Sequence, residues 1–324
     1  MILVTGGAGF IGSNFIHHLR SDQPDQPIVV IDKLTYAADP AQLAGLEDVE
    51  LIVGDIQDRP LLQTILSRGV HTIFHFAAES HVDRSIDGPA AFIQTNILGT
   101  FALLEAARTV WQGDRSCRFL HVSTDEVFGS LGEIGKFSEA TPYAPNSPYS
   151  ASKAGSDHLV RAYHHTFGLA TRTTNCSNNY GPRQHAEKLI PLAITRMARL
   201  EPVPVYGDGQ NVRDWLFVDD HCAGILKVMD RGQDGETYCL GGNNELKNLD
   251  LLHLLADTVD QSLGRAVGTS RALLTFVKDR AGHDRRYAID ATRAHQELGW
   301  LPQIPFQEGL ARTVAWYLGR LKQA

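Results

Sequence analysis

Ser123-Thr124-Asp125-Glu126-Val127 puts a hydroxyl and two adjacent carboxylates in one short stretch, and Tyr149 with Lys153 follows on Tyr149-Ser150-Ala151-Ser152-Lys153. An enzyme that oxidises an alcohol and also moves protons on neighbouring carbons needs such a set. Tyr149 and Lys153 lie four apart and would share one face of a helix. A neutral tyrosine, with an ordinary pKa of about 10, is a poor base at pH 7, but a nearby positive charge favours its phenolate. The phenolate can then take an alcohol proton while hydride leaves the same carbon, and Thr124 can hydrogen-bond the same oxygen. Neighbouring carboxylates tend to split their pKa values, because ionisation of one disfavours ionisation of the other. Alone, Y-x-x-x-K is a common exposed helical pair, so its meaning depends on the rest of the chain.

The elements that must position this group are legible in order. Ile2-Leu3-Val4 is an apolar run ending in Thr5-Gly6-Gly7-Ala8-Gly9-Phe10-Ile11-Gly12, and Ser13 to Leu19 has helical periodicity. Glycines in a strand-turn-helix context let the backbone approach a pyrophosphate, whose charge is met by the amides of the helix N-terminus. A second run, Ile28-Val29-Val30-Ile31, ends at Asp32, 20 positions after Gly12. A carboxylate there can accept from the adenosine ribose and repel a 2′-phosphate, which favours NAD over NADP, although the adjacent Lys33 weakens that choice. The positive nicotinamide ring would add to the charge beside Tyr149. Leu51-Ile52-Val53 leads to Gly54-Asp55-Ile56, where Asp55 is either an adenine contact or a turn aspartate. Thr72-Ile73-Phe74-His75-Phe76-Ala77-Ala78 reads as a fourth strand with a small end against which a cofactor can lie, and Arg118 to Ser123 as a fifth.

With helical segments near Pro60–Leu66 and Pro89–Arg108, this alternation predicts an α/β fold, a doubly wound parallel sheet of Rossmann type. The acid pair then falls at the carboxyl end of a strand, where open α/β sheets bind their ligands. After about Asn175 turn residues cluster and the runs shorten. The expected division is a cofactor-binding domain over 1–180 and a smaller, mixed α/β lobe over 181–324. Trp215-Leu216-Phe217-Val218 and Thr237-Tyr238-Cys239-Leu240 are expected to return to the main sheet.

Across 324 residues the formal charge is −7, so nothing attracts nucleic acid or an anionic membrane over distance, and a phosphate-bearing ligand needs locally placed cations. Cys117, Cys176, Cys222 and Cys239 are far apart, which argues against a zinc site or disulfide framework. The N-terminus lacks the design of a signal peptide, and no run approaches the ~20 apolar residues of a membrane span. A cytoplasmic protein with reduced thiols, no metal, no nucleic-acid partner and no membrane association is expected.

The chain resembles the extended short-chain dehydrogenase/reductases, and within them the nucleotide-sugar 4,6-dehydratases. The resemblance rests on T-G-G-A-G-F-I-G, D-K-L-T-Y-A, F-A-A-E-S-H-V-D-R-S, S-T-D-E-V-F-G, P-Y-S-A-S-K-A-G-S-D, N-C-S-N-N-Y-G-P, E-K-L-I-P, V-P-V-Y-G-D-G-Q-N-V-R-D-W and D-R-A-G-H-D-R-R-Y-A-I-D. It implies Thr124, Asp125, Glu126, Tyr149 and Lys153 as the catalytic set, with Glu126 the base at C5 and Asp125 the acid at C6 of a hexose whose C4 has been oxidised. Related epimerases need no such acid and base and lack the pair. It implies NAD held by Gly6, Gly9, Phe10, Ile11, Gly12, Asp32, Lys33, Leu34, Thr35, Asp55, Ile56, Phe76, Ala77, Ala78, Ser80, Thr95, Tyr149, Lys153 and Asn179. The implied substrate is a nucleotide sugar, dTDP-glucose, contacted by Ser80, Thr124, Asn178, Lys188, Leu189, Pro204, Tyr206, Arg213, Asn248, Asp279, Arg280 and His283. UDP- or CDP-glucose dehydration, 4-epimerisation and a non-catalytic NAD-binding role are the alternatives, and the last would go with a degraded catalytic set. The resemblance also implies a homodimer through a four-helix interface built from the helices near 90–107 and 149–167. Two departures from the family pattern stand out: Phe128 replaces the usual Tyr, and Ala281 the usual Pro.

Overall fold

The structure, a computed structural model, describes residues 1–279 and 282–322. Among these residues the strands are β1 (Ile2–Thr5), β2 (Ile28–Asp32), β3 (Val49–Val53), β4 (Thr72–His75), β5 (Arg118–Thr124), β6 (Thr171–Cys176), β7 (Asn178–Tyr180), β8 (Val203–Tyr206), β9 (Val212–Phe217), β10 (Thr237–Leu240), β11 (Glu245–Lys247) and β12 (Leu274–Val277). The α-helices are α1 (Phe10–Asp22), α2 (Arg59–Leu66), α3 (Val82–Asp87), α4 (Pro89–Phe92), α5 (Thr100–Trp111), α6 (Pro148–Phe167), α7 (Leu189–Ala198), α8 (Val218–Arg231), α9 (Asn248–Leu263), α10 (Thr292–Leu298) and α11 (Phe306–Leu321).

The uninterrupted apolar runs become the inner strands of a parallel sheet, because both faces of such a strand are covered. The seven-stranded order is β10-β6-β5-β4-β1-β2-β3, parallel throughout, with Leu3 of β1 in register with Val29 on one side and Ile73 on the other. Alternation divides each strand between two cores. Ile2, Val4, Ile28 and Val30 join a cluster with Phe15 and Ile16 of α1 and with Ile225 and Val228 of α8. Leu3, Val29 and Ile31 join another with Leu62 and Ile65 of α2, Leu103 and Leu104 of α5, and Val160 and Tyr163 of α6.

The C-terminal lobe has its own core, in which α7, α9 and α11 pack on the three-stranded sheet β11-β9-β7, with β8 and β12 paired alongside. Of the two segments expected to rejoin the main sheet, only β10 does so. β9 pairs instead with β7 and β11. Its alternation explains the difference: Trp215 and Phe217 fill the lobe core, while Leu216 belongs to the cluster under the main sheet. The strand therefore straddles both bodies.

Pro89–Trp111 runs as one helical stretch of 23 residues, through α4, a π-helical turn at Ile93–Gly99 and α5. By length and composition it is apolar enough to cross a membrane, which corrects the expectation that no run comes close. Thr95, Asn96, Thr100 and Glu105 interrupt the run in sequence, but the average over the window is still apolar. Half of that window is buried within the fold, as in a core helix.

Candidate active site

The glycine turn is shaped by contacts that a side chain would destroy. Gly6 has φ +70°, and a Cβ on it would stand 2.7 Å from the backbone of Ala77. A Cβ on Gly12 would stand 2.3 Å from the Gly6 carbonyl oxygen. Helix α1 therefore starts hard against β1, and no side chain caps its first turn at Gly9. That turn is left to meet an anionic ligand. Asp32, at the end of β2, accepts from the amides of Ala8 (2.9 Å) and Leu34 (2.8 Å), which fix its carboxylate on the cleft wall. Burial nevertheless pushes its pKa above the ordinary value. Asp55 does act as a turn aspartate, accepting from the Gln57 amide at 2.9 Å, and also lines the cleft. Lys33 is drawn to it at 2.6 Å and away from Asp32's role.

At the far end of β5, Thr124 caps a short 3₁₀ turn, Asp125–Phe128, its hydroxyl accepting from the Glu126 amide at 3.3 Å. The cap presents both acids at the carboxyl edge of the sheet. Asp125 is 2 % exposed; burial first, then the charge of Glu126, pushes its carboxyl well above the usual range. Its Oδ2 is buried and has no hydrogen-bond partner among the described residues. A carboxyl that holds its proton more tightly than usual and has an uncommitted oxygen suits donation to a leaving group. Phe128 is buried against Phe137 and Tyr143, with ring centroids 5.2 and 5.3 Å away, so the departure from the family pattern is filled by aromatic packing.

Helix α6 begins with a capping box between Ser147 and Ser150 and Pro148 in its first turn, which fixes Tyr149 and Lys153 on successive turns of the face toward β5. Lys153, 3 % exposed, donates to the Val122 carbonyl at 2.9 Å. Burial draws its pKa down to about 8. Burial and the charge of Glu126 push Tyr149 well above its usual value, with Thr124 pulling the other way. The protein alone thus holds Tyr149 as the phenol, and formation of the phenolate falls to the added positive charge of the cofactor.

One cleft takes in Thr124, Asp125, Glu126, Tyr149 and Lys153 together with Gly6, Gly9, Phe10, Ile11, Gly12, Asp32, Lys33, Thr35, Asp55, Ile56, Phe76, Ala77, Ala78, Ser80, Thr95 and Asn179. Its other wall carries Asn178, Lys188, Leu189, Pro204, Tyr206, Arg213, Asn248 and His283. Arg213 is buried, donates to the carbonyls of Val212 (2.8 Å) and Asp284 (2.9 Å), and lies over the Tyr287 ring at 4.3 Å. Lys188 donates to the Ser80 carbonyl at 3.1 Å, tying the two walls together. The side-chain oxygens of Asn178, Asn179 and Asn248 are buried without hydrogen-bond partners among the described residues, as acceptors facing a ligand would be.

Two expected contacts fall elsewhere. Leu34 is turned to left-handed backbone (φ +54°) and packs on the core below the sheet, off the cleft wall. Asp279 lies beside the cleft and holds His283 at 2.6 Å. Arg280 and Ala281 lie outside the described residues. Residues not anticipated include Tyr36, Glu79, His81, His185 and Glu187, which also line the cleft. There Arg84 pairs with Glu187 at 2.6 Å and lies 3.7 Å over the Tyr36 ring. Tyr36, Glu79 with His81, and His185 with Glu187 come from three loops and Arg84 from α3; the adjacent charges Asp83-Arg84 are the one visible signal.

The chain matches the family model described as GDP-mannose 4,6 dehydratase over residues 3–313. It is 55 % identical to the dTDP-glucose 4,6-dehydratase of Xanthomonas campestris pv. campestris (strain B100), across 98 % of this chain and 92 % of that protein. It is 49 % identical to dTDP-glucose 4,6-dehydratase 1 of Escherichia coli (strain K12), across 99 % and 93 %. Among solved structures it is similar to DesIV, a dTDP-glucose 4,6-dehydratase from Streptomyces venezuelae crystallised with NAD and a second ligand, with a TM-score of 0.92, 48 % identity and coverage of 99 % and 98 %. A UDP-glucose 4-epimerase from Thermotoga maritima, 29 % identical, reaches a TM-score of 0.88 over 99 % of both chains, so the fold alone does not separate the two reactions. The chain belongs to the GDP-mannose 4,6 dehydratase family, within the extended short-chain dehydrogenase/reductases.

Proposed function

We propose that the protein is an NAD-dependent hydro-lyase converting dTDP-glucose to dTDP-4-keto-6-deoxyglucose and water. The observation that carries this reading is the acid pair Asp125-Glu126, the first buried and the second half-buried, set beside Thr124, Tyr149 and Lys153 in the cleft that also takes in the glycine turn. A 4-epimerase has use for the last three and none for an acid and base at carbons 5 and 6.

When bound, NAD accepts the hydride from C4 and later returns it to C6; the glycine cradle, Asp32 and the α1 first turn fit it. Thr124 orients the C4 oxygen and Tyr149 takes its proton. Glu126 removes the C5 proton, which the new C4 ketone has made acidic. Asp125 gives its proton to the C6 oxygen as that C–O bond breaks, and water leaves. Glu126 then returns its proton to C5. Tyr149 ends with one proton more and Asp125 with one fewer, and exchange through the cleft resets both. Arg213 and Lys188 are the cations we assign to the diphosphate, a need set by the net charge of −7.

We assign residues 1–180 and the returning β10 to the cofactor half, and most of 181–324 to the sugar-nucleotide lobe. We further assign a cytoplasmic homodimer, supported by the exposed apolar side chains of Ile86, Ile93, Leu98, Phe101 and Phe167 along α3 to α6. Sedimentation of Phe101→Glu beside the wild type checks the dimer: a monomeric variant supports it, and a monomeric wild type refutes it. The activity is checked by offering dTDP-, UDP- and CDP-glucose and following loss of water and the alkaline absorbance of the 4-keto product. The expected result is turnover of dTDP-glucose. Epimerised hexose without dehydration overturns the reading.

A further inference from the structure

Next to Lys153, on the side of the sheet, lies a buried polar cluster that none of these steps uses. Asp157, one turn further along α6, is 4 % exposed. Its Oδ2 accepts from Ser123 Oγ (2.8 Å), Tyr143 Oη (2.9 Å) and Asn175 Nδ2 (3.3 Å). Its Oδ1 is 3.1 Å from His121 Nε2, and that same ring nitrogen is 3.4 Å from Lys153 Nζ. His121 is thus wedged between the two ends of a carboxylate–ammonium pair set four residues apart on one helix face.

A buried ammonium is costly unless a counter-charge offsets its loss of hydration. The groups facing Lys153 are few. From β5 comes His121, held neutral by burial, with a pKa of about 4. From β4 comes His75, also buried and pushed well below its usual value, its ring 5.2 Å from His121. From β6 comes Cys176, whose thiol burial pushes up and which stays protonated. Beside them Tyr143 and Tyr149 are phenols pushed upward by burial. Asp157 is the full negative charge among these groups; burial opposes its ionisation, but His121, Lys153 and Ser123 outweigh that and keep its carboxyl below the ordinary range.

We propose that Asp157 is a positioning residue whose carboxylate is the counter-charge that keeps Lys153 an ammonium next to Tyr149. The inference rests on the hydride-transfer role given above to Tyr149 and Lys153. Asp157 touches no substrate; it acts through Lys153, and the three donors on its Oδ2 hold it ionised and in place.

The test is the pH profile of dTDP-glucose dehydration by the NAD-loaded enzyme. In Asp157→Asn the alkaline limb, which reports loss of the Lys153 proton, is expected to move down by about one pH unit, with kcat falling about tenfold at the wild-type limb and KM little changed. Tyr143→Phe removes one hydrogen bond from the same carboxylate but not its charge, and is expected to leave that limb in place. A uniform loss in both variants with unmoved limbs overturns the proposal in favour of a purely structural role. If Asp157→Asn folds poorly, thermal unfolding of Lys153→Met, Asp157→Asn and the double variant decides: the double is expected to be more stable than the sum of the single losses allows, and strict additivity overturns the proposal. A wild-type enzyme that forms no 4-keto product refutes the function itself, which keeps the two failures distinct.

Discussion

The two walls of the cleft are made in different ways. The wall we assign to the cofactor is local: strand, glycine turn and helix follow one another within 22 residues, and it is made of backbone amides and of positions where a Cβ will not fit. The wall we assign to the substrate is assembled from far apart, with Lys188 ahead of α7, Arg213 on β9, Asn248 at the start of α9 and His283 between β12 and α10. Its chemistry lies in side chains. A wall made of backbone tolerates most substitutions and fails at a few glycines, whereas a wall made of side chains loses binding one group at a time.

The largest effect that sharpens this contrast belongs to the acid pair where the walls meet. Glu126→Gln removes the base but not the C4 oxidation, so turnover should fall about 10²–10⁴-fold while reduced cofactor, read at its own absorbance, builds up on adding dTDP-glucose. Full turnover by this variant removes Glu126 from its role. Next is Gly12→Ala. A Cβ 2.3 Å from the Gly6 carbonyl cannot be accommodated without shifting α1, at a cost of about 1–3 kcal/mol, so thermal stability and the NAD retained through gel filtration should both drop. Unchanged NAD content would show that the cofactor wall is not set by backbone contact.

Arg213→Gln should raise the KM for the nucleotide sugar about 10- to 100-fold with NAD retained, as expected for the loss of charge-assisted hydrogen bonds to a diphosphate. A loss of NAD instead would erase the distinction between the walls. The smallest effect concerns stability. Because burial raises the pKa of Asp125 in the fold above its unfolded value, this group favours folding at low pH and opposes it increasingly as pH rises toward the folded pKa. Asp125→Asn should therefore unfold a few degrees higher than wild type at pH 7 while dehydrating poorly, with the stability difference vanishing below about pH 4.

The same contrast explains what could be read from the chain. The glycine turn, Asp32 and the Tyr149–Lys153 spacing are local and follow from backbone geometry, so periodicity and spacing located them. Arg213, Asn248 and Pro204 have no local signature, and only resemblance to a family pointed to them. β9 was misplaced because a run such as Trp215-Leu216-Phe217 does not reveal which sheet its alternate faces will serve. The Tyr36–Arg84–Glu187 contact has no local signature because two loops and α3 meet there only after folding. Asp157 stood in plain view one turn beyond Lys153, but its meaning required His121 from β5 and Asn175 from β6 to be brought against it.

The place of β10 at the edge of the main sheet also bears on how the chain is made. β10 is the outer neighbour of β6, and 60 residues, including β7 to β9, α7 and α8, lie between Cys176 and Thr237. During synthesis β6 leaves the ribosome long before its partner, with its outer row of amides and carbonyls unpaired, and an open strand edge invites pairing with other chains. A fragment ending at Tyr180 would keep the whole glycine turn and catalytic set and still carry that open edge, so it should aggregate unless the later segment is supplied. The half we assign to the cofactor is finished only by an element that follows most of the half we assign to the sugar nucleotide.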